Sequence, residues 1–122
     1  MKRKNQRGFT LTELLIALFI LSVVLLALST MVYSVMRATA QSKGMATATT
    51  LAQDKIESFK NLSYSSLTLG TFNEPITPSG SSITYNRQWT VSTVGNIKTI
   101  TVIVSWTDRL PHNVSITTVR GE

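Results

Sequence analysis

The sequence predicts an α+β chain, a long N-terminal helix, membrane-spanning in its first half, packed on a small antiparallel β-meander. Three observations predict it. Residues 14–36 are 23 consecutive uncharged and mostly apolar positions. No proline interrupts residues 9–74, and apolar side chains at three- and four-residue spacing continue to Phe59. The last forty residues, 83–122, change to a period of two.

Size and charge narrow the possibilities. A chain of 122 residues holds one small domain and an anchor, and is too short for a large enzyme. The formal charge is +6, from 12 Lys and Arg against 6 Asp and Glu, but Lys2, Arg3, Lys4 and Arg7 fall in the first eight residues. From Phe9 onward the balance is 8 against 6, so the folded part lacks the basic surface that nucleic-acid binding requires, and no nucleic acid is expected as a partner. With no cysteine there is neither a disulfide framework nor a thiolate site.

Residues 1–8 read as a short cytoplasmic leader and residues 9–37 as a transmembrane helix. A helix of 23 residues reaches about 34 Å, enough to cross a hydrocarbon core of about 30 Å. The basic cluster precedes this run and only Arg37 and Lys43 follow it closely, which puts the N-terminus in the cytoplasm. A secretory signal with cleavage after Ala38-Thr39-Ala40 is the rival. The apolar run exceeds the usual 7 to 15 residues or so of such signals, and Glu13 sits at its mouth.

Residues 38–60 read as an amphipathic continuation. Ala38, Met45, Ala48, Ala52, Ile56 and Phe59 fall on one face, while Lys43, Asp54, Lys55, Glu57 and Lys60 point elsewhere. A helix over 9–60 would be about 78 Å long. Gly44 is its expected weak point, because glycine costs about 1 kcal/mol relative to alanine inside a helix. Residues 61–82, with Ser63, Ser65, Ser66, Gly70, Pro75, Pro78 and Gly80, have loop composition.

Residues 83–122 read as a three-stranded antiparallel sheet. Ile83, Tyr85, Trp89 and Val91 alternate with polar residues, with Arg87 interrupting the apolar face. Ile100, Val102, Val104 and Trp106 form the second set, and Val114 and Ile116 the third. Gly95-Asn96 is a two-residue hairpin signal, and the stretch from Asp108 to Asn113, with Pro111, is a second turn. So small a sheet buries little core alone, and it is expected to pack on the helix face that carries Ile56 and Phe59.

The start of the chain, Lys2-Arg3-Lys4-Asn5-Gln6-Arg7-Gly8-Phe9-Thr10-Leu11-Thr12-Glu13, runs directly into the apolar segment. It resembles the processing site of type IV prepilins and of the pseudopilins of type II secretion. The resemblance implies cleavage by prepilin peptidase between Gly8 and Phe9, with N-methylation of the new Phe9 amine. Thr12 departs mildly from the family, which commonly has an aliphatic residue there. A carboxylate in the apolar run is costly, roughly 2.5 to 3.5 kcal/mol at mid-membrane and less toward the interface. After cleavage Glu13 could pair with the Phe9 ammonium of its own chain across one turn or with that of an adjacent, axially shifted subunit; the family uses the second arrangement, which sets the assembly register. A bland alternative is that Glu13 marks the helix start and benefits from its dipole.

Ala46-Thr47-Ala48-Thr49-Thr50-Leu51-Ala52-Gln53-Asp54-Lys55-Ile56-Glu57 is similar to the alanine-rich helix of PilV-type minor pilins (type IV pilus modification proteins) and related minor pseudopilins. Ile103-Val104-Ser105-Trp106-Thr107-Asp108 resembles their last hairpin. The resemblance implies a pilin-like fold and a minor type IV pilin, anchored in the bacterial inner membrane before assembly and periplasmic or extracellular in a fibre afterwards. Its implied partners are prepilin peptidase, the membrane, and other pilin or pseudopilin subunits met through the N-terminal helix. A minor pseudopilin of type II secretion is the alternative, followed by a generic single-pass membrane-anchored binding protein.

No catalytic set, metal site or cofactor is expected. His112 stands alone in a predicted turn, with no triad or zinc set to join. Asp54 and Glu57 lie three apart but among lysines, as on a solvated face, and Asp108 has no second carboxylate nearby for a hard cation. Asn61-Leu62-Ser63 and Asn113-Val114-Ser115 match the glycosylation sequon, which bacteria rarely read. Trp89 and Trp106 are expected to cover the sheet face against the helix rather than to form a platform.

Overall fold

The computed structural model describes residues 8–122, so Lys2, Arg3, Lys4 and Arg7 of the leader lie outside the described residues. The elements are α1 (Leu11–Lys60), a 3₁₀ turn (Tyr64–Ser66), β1 (Gly70–Ile76), β2 (Tyr85–Val94), β3 (Ile97–Thr107) and β4 (Pro111–Gly121). The strands form one antiparallel sheet in the order β1-β2-β3-β4. The chain divides into two compact units, one ending at Ala40 and the other running from Gln41 to Glu122.

In the first unit α1 is apolar and exposed all round, as Leu18, Phe19, Leu25, Leu26 and Met31 show. By length and composition it can cross a membrane. Four of its hydroxyls are satisfied locally. Ser22 donates to the Phe19 carbonyl at 2.7 Å, Ser29 to Leu25 at 2.9 Å, Thr30 to Ala27 at 2.8 Å and Thr39 to Val35 at 2.9 Å. A hydroxyl tied to a carbonyl of the preceding turn leaves no donor facing lipid.

In the second unit α1 lies on the sheet through a stripe of four buried residues, Gly44, Ala48, Ala52 and Ile56, spaced four apart. Ala48 and Ala52 are fully buried, because small side chains let the helix backbone approach the sheet closely. Facing them are Tyr85 and Val91 of β2 and Ile100, Val102, Val104 and Trp106 of β3, with Leu67 closing one end. Full burial of a valine or isoleucine side chain contributes about 1.5 to 3 kcal/mol, so the β3 residues carry much of this thin core.

Two cations fasten the helix end and the loop after it. Arg120 of β4 donates to the carbonyls of Phe59 at 3.1 Å and Lys60 at 2.8 Å. These belong to the last turn of α1, whose carbonyls lack intrahelical partners and attract positive charge. Lys98 of β3 donates to the Tyr64 carbonyl at 2.7 Å and the Leu67 carbonyl at 2.9 Å, holding the 3₁₀ turn against the sheet.

The α+β arrangement of a long apolar helix packed on an antiparallel meander is as the sequence predicts, but the sheet has four strands rather than three. The additional strand, β1, falls inside the stretch read as loop. Its inner side carries Phe72, Glu74 and Ile76, so a charge interrupts the apolar alternation, and Pro75 suggests a turn. Both are tolerated because β1 is an edge, where a missing N–H costs no ladder bond, and because Glu74 lies opposite Arg87 in the register. Arg87, the residue that interrupts the next strand, is thus its counterpart.

Two further expectations change. Gly44 is a packing site within an uninterrupted α1, with the Trp106 ring lying where a side chain would begin. The second turn is shorter than predicted: β4 starts at Pro111, so His112 is half-buried in a strand and stacks on Trp106, with ring centroids 5.3 Å apart. Proline is acceptable as a first strand residue, and Asp108 makes the turn by accepting hydrogen bonds from the backbone N–H of Arg109 and Leu110. The β2–β3 hairpin does turn on Gly95-Asn96, with Gly95 at φ +60° supplying the positive φ that a II′ turn needs at its first central position.

Candidate functional site

Gly8, Phe9, Thr10 and Glu13 lie together at the start of α1, all exposed. Thr10 caps the helix: its carbonyl accepts the Leu14 N–H at 3.1 Å and its hydroxyl accepts the Glu13 N–H at 3.3 Å. Thr10-Leu11-Thr12-Glu13 has the spacing of a capping box, with the acidic residue at the third helical position, where the positive end of the helix dipole favours it. Sequence reasoning missed the role of Thr10, although the S/T-x-x-E spacing was there to be read. Glu13 lies four residues, about one turn or 6 Å of rise, beyond Phe9. A Cβ added at Gly8 would meet nothing within 4 Å, and Gly8 is not among the glycines with positive φ. Nothing in the fold therefore demands glycine at this position.

A second polar group lies between α1 and the β1–β2 edge of the sheet. Glu74 Oε1 accepts hydrogen bonds from Arg87 Nε at 2.9 Å, from Arg87 Nη2, and from Lys55 Nζ at 3.2 Å. Arg87 Nη1 also donates to the Leu51 carbonyl of α1 at 2.9 Å. The Arg87 hydrogen bonds hold the Glu74 carboxyl below the usual carboxylate range, with a smaller contribution from Lys55 and against some desolvation. Lys55 Nζ sits 3.7 Å from the Trp89 ring centre, and Trp89 is flanked by Phe59 and Phe72. This group joins helix to sheet, and pattern reading missed it because Arg87 looked like a fault in its strand, Glu74 fell in a stretch of loop composition and Lys55 on the polar side of the helix.

The remaining candidates are dispersed. Asp54 and Glu57 are exposed on α1. Asp108 Oδ1 lies 3.3 Å from His112 Nε2, and its carboxyl is held below its ordinary value chiefly by the Arg109 and Leu110 N–H groups. Trp106 is buried and Trp89 half-buried, both covering the inner sheet face. Asn61 and Asn113 are exposed. Among the described residues, no three His, Asp or Glu side chains gather as a metal set.

Comparison with known families places one match on the chain: residues 3–29 match the prokaryotic N-terminal methylation motif. No curated protein and no solved structure matches. The motif describes a signal carried by structural pilins rather than an enzyme family, and with the apolar helix it fits membrane anchoring before assembly. It implies processing by prepilin peptidase and assembly with other pilins, and so supports a type IV pilin or pseudopilin.

Proposed function

We propose that this chain is a minor type IV pilin. It is inserted in the bacterial inner membrane with its N-terminus in the cytoplasm, cut between Gly8 and Phe9, methylated on the Phe9 amine, and built with other pilins into a pilus or its priming tip. The observation that carries this reading is the exposed Gly8-Phe9 junction one turn before Glu13, at the start of a helix whose membrane-length segment is wholly exposed. A glycine that the fold does not require suits a peptidase that must reach the backbone. The Phe9 ammonium released by cleavage meets Glu13 of an axially shifted neighbour, which offsets the cost of placing each charge in an apolar surrounding.

The minor rank rests on the small C-terminal part, the absence of cysteine and of a proline in the membrane helix, and the PilV-like segments around Leu51 and Trp106. The same N-terminal features would serve a minor pseudopilin of type II secretion. Mass spectrometry of the protein from cells with and without active prepilin peptidase tests the processing step: the mature chain should begin at methylated Phe9. A chain beginning at Gln41, or an uncut chain in cells with active peptidase, would remove the pilin reading. Recovery in sheared pili, and not in cells that have only the secretion system, separates the two fibres.

A further inference from the structure

We infer that the outer face of the sheet, the side turned away from α1, is a docking surface for a neutral polysaccharide. The acidic and basic residues of the four strands all stand on the inner side. Glu74 and Arg87 share a row with Val104 of the core, His112 pairs with Trp106, and Lys98 and Arg120 pair with each other and reach Tyr64 and α1. Outward, among the described residues, no strand carries a charge. A face that stays in water ordinarily carries lysine and glutamate, which keep it soluble. Here charge is absent from the face that solvent reaches and present on the one that the helix covers. Such a face suits a partner without charge, because a charged side chain covered by a neutral partner loses its hydration and gains no counter-charge.

The rows that cross this face are made of hydroxyls and amides. Thr71, Thr90, Thr101 and Thr117 stand in register across all four strands, with bonds of 3.0 Å between the first two and 3.2 Å between the last two. Each bonded pair uses one hydroxyl hydrogen and keeps the other for a ligand. The next row is Asn73, Gln88, Ile103 and Ser115, and Asn113 follows in the third. Neighbouring strands lie about 4.8 Å apart, so these groups form a grid that meets an extended polymer at several points at once. Other partners lack their means of attachment. Phosphate or nucleic acid would need lysine or arginine here, and a cation would need carboxylates. The core of a protein interface takes aromatic side chains, methionine and arginine, none of which faces outward from these strands. Lipid would need a continuous apolar patch, whereas Ile103 stands between Gln88 and Ser115. Hydroxyls and amides both donate and accept, as the hydroxyls of a sugar do.

The test uses the full-length chain in detergent, mixed with cellulose, chitin or starch granules and sedimented. The chain should bind at least one of the three, and should bind carboxymethylated cellulose fibres no better than plain ones. Gln88→Glu with Asn113→Asp adds two charges at exposed positions of the face while keeping its shape, and should weaken binding about tenfold. Gln53→Glu with Asn61→Asp adds the same charge at exposed positions off the face, and should bind like the natural chain. Tryptophan fluorescence matching that of the natural chain shows that each variant is folded. Binding to none of the three, stronger binding to the carboxymethylated fibres, or equal binding by the two double variants would overturn the proposal. So would self-association of the natural chain that the face variant abolishes, which would make this face a contact between copies.

Discussion

Trp106 lies over Gly44: a methyl group added to the glycine would come within 3.1 Å of the indole Nε1. The ring has little room to retreat, being buried between Tyr85 and His112 at centroid distances of 5.6 and 5.3 Å. Gly44→Ala should gain about 1 kcal/mol of helix propensity yet lose about 2 kcal/mol to overpacking, for a net loss near 1 kcal/mol. Gly44→Val should lose more. Unfolding followed by tryptophan fluorescence in detergent checks both, and a Gly44→Ala chain more stable than the natural one would show that the ring yields freely.

Glu74 makes stability depend on acid. Its carboxyl titrates lower in the folded chain than the ordinary value of 4.5, because Arg87 and then Lys55 bind the charged form. The unfolded chain therefore takes up a proton first. The stabilisation is fully present above about pH 4.5 and is lost as pH falls through the lowered folded value. Asp108 shifts in the same direction, so the profile should be measured in an Asp108→Asn background. There Glu74→Gln should flatten the acid limb of denaturant midpoint against pH; an unchanged limb would mean that the ion group does not couple helix to sheet.

Arg120→Ala should loosen the C-terminal end of α1 without unfolding the sheet. It removes both hydrogen bonds to the Phe59 and Lys60 carbonyls, a loss of about 1 to 3 kcal/mol for bonds from a charged donor. Amide exchange at Asn61 and Leu62, which donate to Glu57 and Phe59, should accelerate, while exchange at Val102 in the centre of the sheet stays slow.

Glu13→Gln should be inserted and processed like the natural chain, since glutamine can occupy the same place in the first helical turn. It should be poorly recruited into fibres, because a neighbour's Phe9 ammonium then has no carboxylate in an apolar setting. Blots of sheared fibres against membrane fractions measure the ratio, and wild-type recruitment would sink the charge-register mechanism.

What the sequence made legible was whatever repeats. The run of 14–36, the four-residue stripe through Ala48, Ala52 and Ile56, and the alternation through Ile100, Val102, Val104 and Trp106 each repeat a single physical demand, and each element formed where its period appeared. β1 was not legible because its cause is a pair: Glu74 reads as loop and Arg87 as a fault until the register sets them opposite one another. Gly44 misled in a related way, since helix propensity weighs the residue against its own helix and Trp106 arrives from 62 positions further on. Of the N-terminal site, Gly8, Phe9 and Glu13 are named through the resemblance to the prepilin processing site, whereas the Thr10 cap was passed over in favour of the charge beside it.

The hydroxyls of Ser22, Ser29 and Thr30, each bonded to a carbonyl of its own helix, bear on how such a helix changes surroundings. A segment whose polar side chains relied on water or headgroups would have to exchange those bonds whenever its neighbours changed. This segment carries its hydrogen-bond acceptors with it and shows the outside little but hydrocarbon. Lipid tails and the apolar flank of another helix are then nearly equivalent solvents, and passage from one to the other is governed by packing and by the single carboxylate of Glu13.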